Sequence, residues 1–179
     1  MPPDDGPNEN LDETLNRVLR LTREPFVSYV ESVGFAEIIT ALILSARRIV
    51  ESRPQEFGRV LASGVRDHGT LWYAGRAAEE ARTAIGYDPR ESPRDDDVTI
   101  PARAFLIVAY RHPYFDANKR TAFVSAMLIG HSMGFKIRPT PYSHLEEEVR
   151  ALTQREAPEG EIAEWMLRKL FIPSSEKEG

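Results

Sequence analysis

Two stretches, IPARAFLIVAYR from Ile100 and TAFVSAMLIGHSMG from Thr121, are apolar around most of a helix, and only the polar turn HPYFDANKR separates them. A helix that is hydrophobic all round cannot lie on a surface, so both belong in the middle of the fold. Other helical segments must pack around this pair, which gives an all-α bundle.

Those other segments are legible by apolar spacing. Leu11, Leu15, Val18 and Leu19 predict a first helix, and AEIITALILSARRIVESR predicts a second that ends before Pro54, with Arg47 and Arg48 on its solvated face. GTLWYAGRAAEEARTAIG predicts a helix closed by Gly86, with Trp72 and Tyr73 assigned to core or groove packing. YDPRESPRDDDVT, with two prolines and three successive Asp, predicts an exposed loop in which Asp95, Asp96 and Asp97 form a solvated charge cluster. Thr99 and Pro101 predict an N-cap and a first-turn proline for the first central helix, and Gly134 the close of the second. GFKIRPTP predicts a short irregular or extended return. The SHLE run, Ser143 to Glu146, predicts a capping box and a helix to about Gln154. The last helix lies in PEGEIAEWMLRKLF, with Ile162, Trp165, Met166 and Phe171 facing inward.

The turn between the central helices carries the chemistry. A helix N-terminus leaves backbone N–H groups unpaired and bears a partial positive charge, so anions bind there readily. Lys119 and Arg120 add full charges, the arginine as a planar fork that grips phosphate oxygens in pairs. Asp116 is a candidate magnesium ligand, because a lone carboxylate beside phosphates commonly holds Mg²⁺ while phosphate oxygens and waters complete its octahedron. His112 is a candidate general base, since an imidazole with its ordinary pKa of about 6.5 accepts a proton at neutral pH. The set reads as a phosphate site.

HPYFDANKRTAF resembles the signature of the Fic/Doc family, HxFx(D/E)GNGRxxR, and is most similar to its Doc branch, where lysine replaces the second glycine. His112, Asp116, Asn118 and Arg120 match the pattern directly and Lys119 matches the Doc variant. Tyr114 stands where phenylalanine is usual, Ala117 where glycine is common and Phe123 where the longer pattern has its last arginine. SGVRDHGTLWYAGRAA and EEEVRALTQREAPEGEIAEWMLRKL resemble further parts of Doc-like chains, so the resemblance covers about residues 60–171. It implies a Fic/Doc-like helical bundle in which the two buried central helices are joined by the HPYFDANKR loop, with a small β-hairpin flap near residues 87–99.

The resemblance also implies a function. A Doc-like toxin transfers the γ-phosphate of ATP to a Ser or Thr hydroxyl of a target protein, with elongation factor Tu as the candidate target, arrest of translation as the outcome and a small antitoxin as a partner. His112 would act as base, Asp116 would hold Mg²⁺, and Asn118, Lys119 and Arg120 would position the phosphates of ATP. The alternative is nucleotidyl transfer (AMPylation), the commoner activity of the wider family, for which glycine at the position of Lys119 is typical. A non-catalytic nucleotide-sensing or protein-binding module is the third reading, and an intact His112 and Asp116 count against it. Ser174, Glu178 and Gly179 have the SxxxEG spacing of the inhibitory motif in some Fic proteins, and three short matches in a charged tail are read as coincidence.

Charge and composition set the remaining expectations. With 23 basic and 28 acidic residues the net charge is -5, which gives no general attraction to nucleic acid or anionic membrane. The chain has no cysteine, so it forms no disulfide or thiolate metal site. The acidic, proline-rich start is unlike a signal peptide, and the run FAEIITALILSA is interrupted by Glu37, so the expected location is cytoplasmic. His68, His131 and His144 have no second ligand at metal spacing and are read as structural or solvated. The expected organisation is a disordered tail over 1–9, an N-terminal helical extension over 10–55 packed on the core, a core domain over 56–172 and a flexible tail over 173–179.

Overall fold

The computed structural model describes residues 26–173. The expected first helix around Leu11 to Leu19, the 1–9 tail and the SxxxEG spacing lie outside the described residues. The elements are α1 (residues 26–32), α2 (Phe35–Ser52), the single turn α3 (Pro54–Phe57), α4 (His68–Ile85), a 3₁₀ turn (Asp95–Val98), α5 (Thr99–Arg111), α6 (Asn118–Met133), β1 (Lys136–Ile137), α7 (Tyr142–Gln154), α8 (Glu159–Lys169) and β2 (Phe171–Ile172). The class is all-α. Among the described residues the sheet is only the antiparallel pair β1–β2, with Lys136 opposite Ile172.

α5 and α6 are central, as their composition requires. Phe105, Val108, Phe123, Leu128 and Ile129 are sealed from solvent, and α6 is buried on nearly every side. α2 shares one continuous apolar cluster with α4, α5 and α6 through Phe35, Ile39, Ile43 and Val50. Gly75 lets α4 lie directly on α2: a Cβ there would sit 2.4 Å from the Ala36 carbonyl oxygen and 2.4 Å from Thr40 Oγ1. α8 covers α5, with the rings of Phe105 and Trp165 6.4 Å apart. Ile162, Trp165, Met166 and Phe171 all face inward as expected. Phe171 of β2 stacks on Phe135 and lies over Gly130, where any side chain would collide with its ring.

Helix ends follow the expected chemistry in part. Gly86 and Gly134 close α4 and α6 in the left-handed conformation, with φ of 71° and 106°. At the start of α4, Asp67 caps the helix by accepting from the Thr70 N–H. Thr99 is no N-cap: the 3₁₀ turn runs straight into α5, so Thr99 is already helical and Val98 precedes it. The SHLE capping box does not form either, because α7 begins two residues early at Tyr142, with Pro141 as its N-cap, and Ser143 is inside it.

Three expectations about side chains are corrected. Arg47 is not solvated but 4% exposed, drawn inward by hydrogen-bond acceptors from two distant segments. Trp72 is 54% exposed and Tyr73 lies at the surface beneath the Arg111 guanidinium, 4.4 Å from its ring centre, so neither is core. Asp97 is buried rather than solvated, accepting hydrogen bonds from the main chain and side chain of Arg94.

No hairpin forms in residues 87–99, which fold as turns and the 3₁₀ turn. That segment adjoins the start of α5 and, through Pro93 against Gly134, the end of α6. The turn with His112 lies at the opposite ends of both helices. A different segment, Gly58 to Asp67, crosses it instead.

Candidate active site

The turn between α5 and α6 opens and closes on a strained residue. His112 ends α5 at φ 50° and Ala117 precedes α6 at φ 61°, both in the left-handed region that costs an L-residue about 1–2 kcal/mol. Such conformations persist only where the surroundings enforce them. Here the surroundings are cations and amides contributed by remote parts of the chain.

Arg47 is the deepest of these. Its Nη1 donates to the Asp116 carbonyl at 2.5 Å and to Thr121 Oγ1 at 3.4 Å, its Nη2 donates to the Ala62 carbonyl at 3.2 Å, and Nε pairs with Glu51. The same guanidinium lies 4.4 Å from the centre of the Tyr114 ring, a favourable cation–π arrangement. Tyr114 is thereby the buried aromatic foot of the turn, and burial pushes its phenol pKa up to about 12. Arg66 holds the other end, donating to the carbonyls of Arg111 and His112 at 2.9 and 2.8 Å. The Arg66 and Asp67 N–H groups both donate to the Pro113 carbonyl, and Val65 bridges Tyr114 in antiparallel fashion.

The five residues singled out by sequence, His112, Asp116, Asn118, Lys119 and Arg120, all line one cavity of about 370 Å³. They occupy it in different ways. Asn118 is buried, and its side chain forms a reciprocal pair with Tyr114: Oδ1 accepts from the Tyr114 N–H at 2.9 Å and Nδ2 donates to its carbonyl at 2.9 Å. Arg120 reaches back to donate to the carbonyls of Phe57 and Arg59, with Asp116 3.7 Å away. Lys119 has no hydrogen-bond or ion-pair partner among the described residues. His112 is exposed at the mouth, beside the exposed ring of Phe115.

Asp116 is the anion of the site. Its Oδ2 accepts from the Leu61 N–H at 2.8 Å and its Oδ1 from the Ala117 N–H at 2.7 Å. The Leu61 hydrogen bond, followed by those of Ala117 and the charges of Arg120 and Arg47, holds its carboxyl below the ordinary value of 3.8 despite partial burial. It is ionised at neutral pH, and each oxygen keeps a further lone pair. Among the described residues no group of three His, Asp or Glu side chains is placed to hold a metal without outside ligands. The donor set therefore fits a hard cation such as Mg²⁺ only where phosphate oxygens and water supply the remaining positions.

The floor of the cavity is the start of α6. Among the described residues no side chain caps this 16-residue helix, whose N-cap is Ala117. Its first N–H groups and the adjacent Lys119 make a positive corner suited to an anion.

The far wall was not foreseen from sequence. Tyr142, Glu146 and Arg150 follow one another at four-residue intervals on α7 and line the same cavity. That spacing puts them on one helix face, and it is the signal that could have singled them out. The lining thus holds three cations, Lys119, Arg120 and Arg150, against two carboxylates, Asp116 and Glu146. Phe123, at the place of the longer pattern's last arginine, is sealed in the core with its ring 4.9 Å from that of Tyr142.

No helix among the described residues is long and apolar enough to cross a membrane. No family model, curated protein or solved structure matches the chain in comparisons with all three.

Proposed function

We propose that the protein transfers the γ-phosphate of ATP to a hydroxyl of a target protein, in the manner of a Doc-like toxin. The observation that carries this reading is the meeting of His112, Asp116, Lys119 and the uncapped start of α6 on one cavity. His112 takes the proton of the attacking Ser or Thr hydroxyl, the oxygen bonds to the γ-phosphorus, the bond to the ADP oxygen breaks, and ADP departs. Lys119 and the first N–H groups of α6 neutralise the phosphate charge, while Asn118 and Arg120 hold the turn in shape. Mg²⁺ bound beside Asp116 would supply charge neutralisation between the phosphates. The chain's own contribution is positioning and a fixed electrostatic field.

Lys119 in place of glycine and the buried, apolar Phe123 favour γ-phosphoryl transfer over nucleotidyl transfer. An antitoxin and elongation factor Tu enter only through the family resemblance, as proposed partner and target.

The test is label transfer into a bacterial lysate with Mg²⁺, run with ATP labelled at the α- or the γ-phosphate, using wild type and His112→Ala. Label from the γ position alone, lost in the variant, supports the proposal and identifies the target by mass. Label from the α position assigns nucleotidyl transfer instead. Movement of neither label overturns both.

A further inference from the structure

Building on the nucleotide reading of the cavity, we infer that Arg150 of α7 binds the outer phosphates of the nucleotide, turning to them from Glu147, which accepts its hydrogen bond when no anion is bound. Two observations carry it. Arg150 and Glu146 both line the cavity that contains Lys119, Arg120 and the uncapped start of α6. Arg150 lies on α7, a different element from the one that carries Lys119 and Arg120, so it brings charge to the cavity from a second side.

Arg150 is suited to move. Its side chain is 47% exposed, and its partners are Glu147, an exposed carboxylate at 2.8 Å, and Glu146 at 3.7 Å. Exposed pairs of this kind contribute little, about 0–1 kcal/mol, so a phosphate with several charges displaces them readily. The guanidinium then offers a planar fork to phosphate oxygens, which Lys119 cannot do as a point charge. Glu146, 3.7 Å from the Arg150 guanidinium, acts in the opposite direction by placing a negative charge beside an anion. Removing the arginine and removing the carboxylate must therefore change affinity with opposite signs.

Both residues belong to the outward part of α7, whose buried face is Tyr142, Leu145, Val149, Leu152 and Thr153, so substitutions there leave the core intact. The experiment is equilibrium binding of ATP, AMP and inorganic tripolyphosphate, with and without Mg²⁺, to the full chain and to Arg150→Ala, Arg150→Lys and Glu146→Gln. Arg150→Ala is expected to weaken ATP and tripolyphosphate about tenfold while leaving AMP unchanged, the size of one lost charge-assisted contact. Arg150→Lys recovers part of the loss, and Glu146→Gln tightens ATP a few-fold.

If Arg150→Ala binds ATP and tripolyphosphate as wild type does, the inference is overturned and the nucleotide reading stands. If the full chain binds tripolyphosphate through Arg150 but not ATP, the nucleotide reading falls and the anion role of Arg150 stands. If Glu146→Gln weakens ATP only when Mg²⁺ is present, Glu146 serves the cation rather than opposing the anion, and the inference is overturned in that part. Binding of neither probe by wild type overturns both.

Discussion

Arg47 of α2 donates a 2.5 Å hydrogen bond to the main-chain carbonyl of Asp116, across 69 residues of sequence. The contact fixes the backbone of the residue whose carboxylate faces the cavity. It also joins one further segment, because the same guanidinium donates to Ala62, and it lies over the Tyr114 ring of the turn itself. Arg47→Ala is expected to destabilise the chain by about 3 kcal/mol, since the Asp116 and Ala62 carbonyls and the buried Thr121 hydroxyl lose a charged donor together. Arg47→Lys should recover less than half, an ammonium being unable to span the Asp116 and Ala62 carbonyls at once. Urea midpoints of the two variants against wild type check this.

Asn118 makes a different prediction. Its amide gives and accepts one hydrogen bond with Tyr114, so Asn118→Ala leaves a buried N–H and a buried carbonyl unpaired and costs about 2 kcal/mol. Asn118→Asp preserves shape yet turns the donor toward the Tyr114 carbonyl into a second acceptor. Asp is therefore expected to be the worse replacement at pH 7, and thermal midpoints that rank Ala below Asp would sink the account.

Acid dependence follows from Asp116. Its folded carboxyl titrates below the ordinary 3.8, first because of the Leu61 N–H. A depressed folded value gives stability that is present above the unfolded pKa, about 3.9, and is lost as pH falls through the folded one. Asp116→Asn keeps an acceptor for Leu61 but has no proton to gain. Its stability is expected to fall less than that of wild type between about pH 4 and lower values, measured as the difference in denaturation midpoint.

Ala117 sits at φ 61°. Ala117→Gly relieves the left-handed strain, about 1 kcal/mol, and loses a similar amount to the greater freedom of the unfolded chain, so stability is expected to change little. A β-branched side chain has no such relief. Ala117→Val should cost about 2 kcal/mol and distort the first turn of α6, which calorimetry and the amide resonances of residues 117–121 would both report.

The bundle was legible in the sequence because its evidence is local. The all-round apolar character of α5 and α6, and the glycines that close α4 and α6, follow from residues within a few positions of each other. The cavity-lining residues of the turn were legible for the same reason. Arg47 was not: it and Arg48 are adjacent on one helix, and only the arrival of the turn and of Ala62 decides that one is buried and the other exposed. Trp72 and Tyr73 were misassigned to the interior because, among the described residues, that side of α4 is left at the surface. The segment that crosses the turn, residues 58–67, carries no strand pattern, since its pairing consists of hydrogen bonds with side chains, two to one proline carbonyl and a single isolated bridge at Val65. Arg150 was hidden in an ordinary charged face of α7.

The fastenings of the turn come from positions 46, 55, 63 and 69 residues away, through Arg66, Leu61, Phe57 and Arg47. Contacts of such separation carry the entropy of closing long loops and form late. Two of the four are not shielded by the core: Arg66 is exposed, and Leu61 is 82% exposed with its neighbours to Gly64 exposed as well. The same order, run backwards, makes the cavity the first part to come apart. At denaturant concentrations that leave α5 and α6 packed, residues 58–67 are expected to lift away and the turn to relax from its two left-handed residues, so that the chain keeps its helices while the cavity is lost.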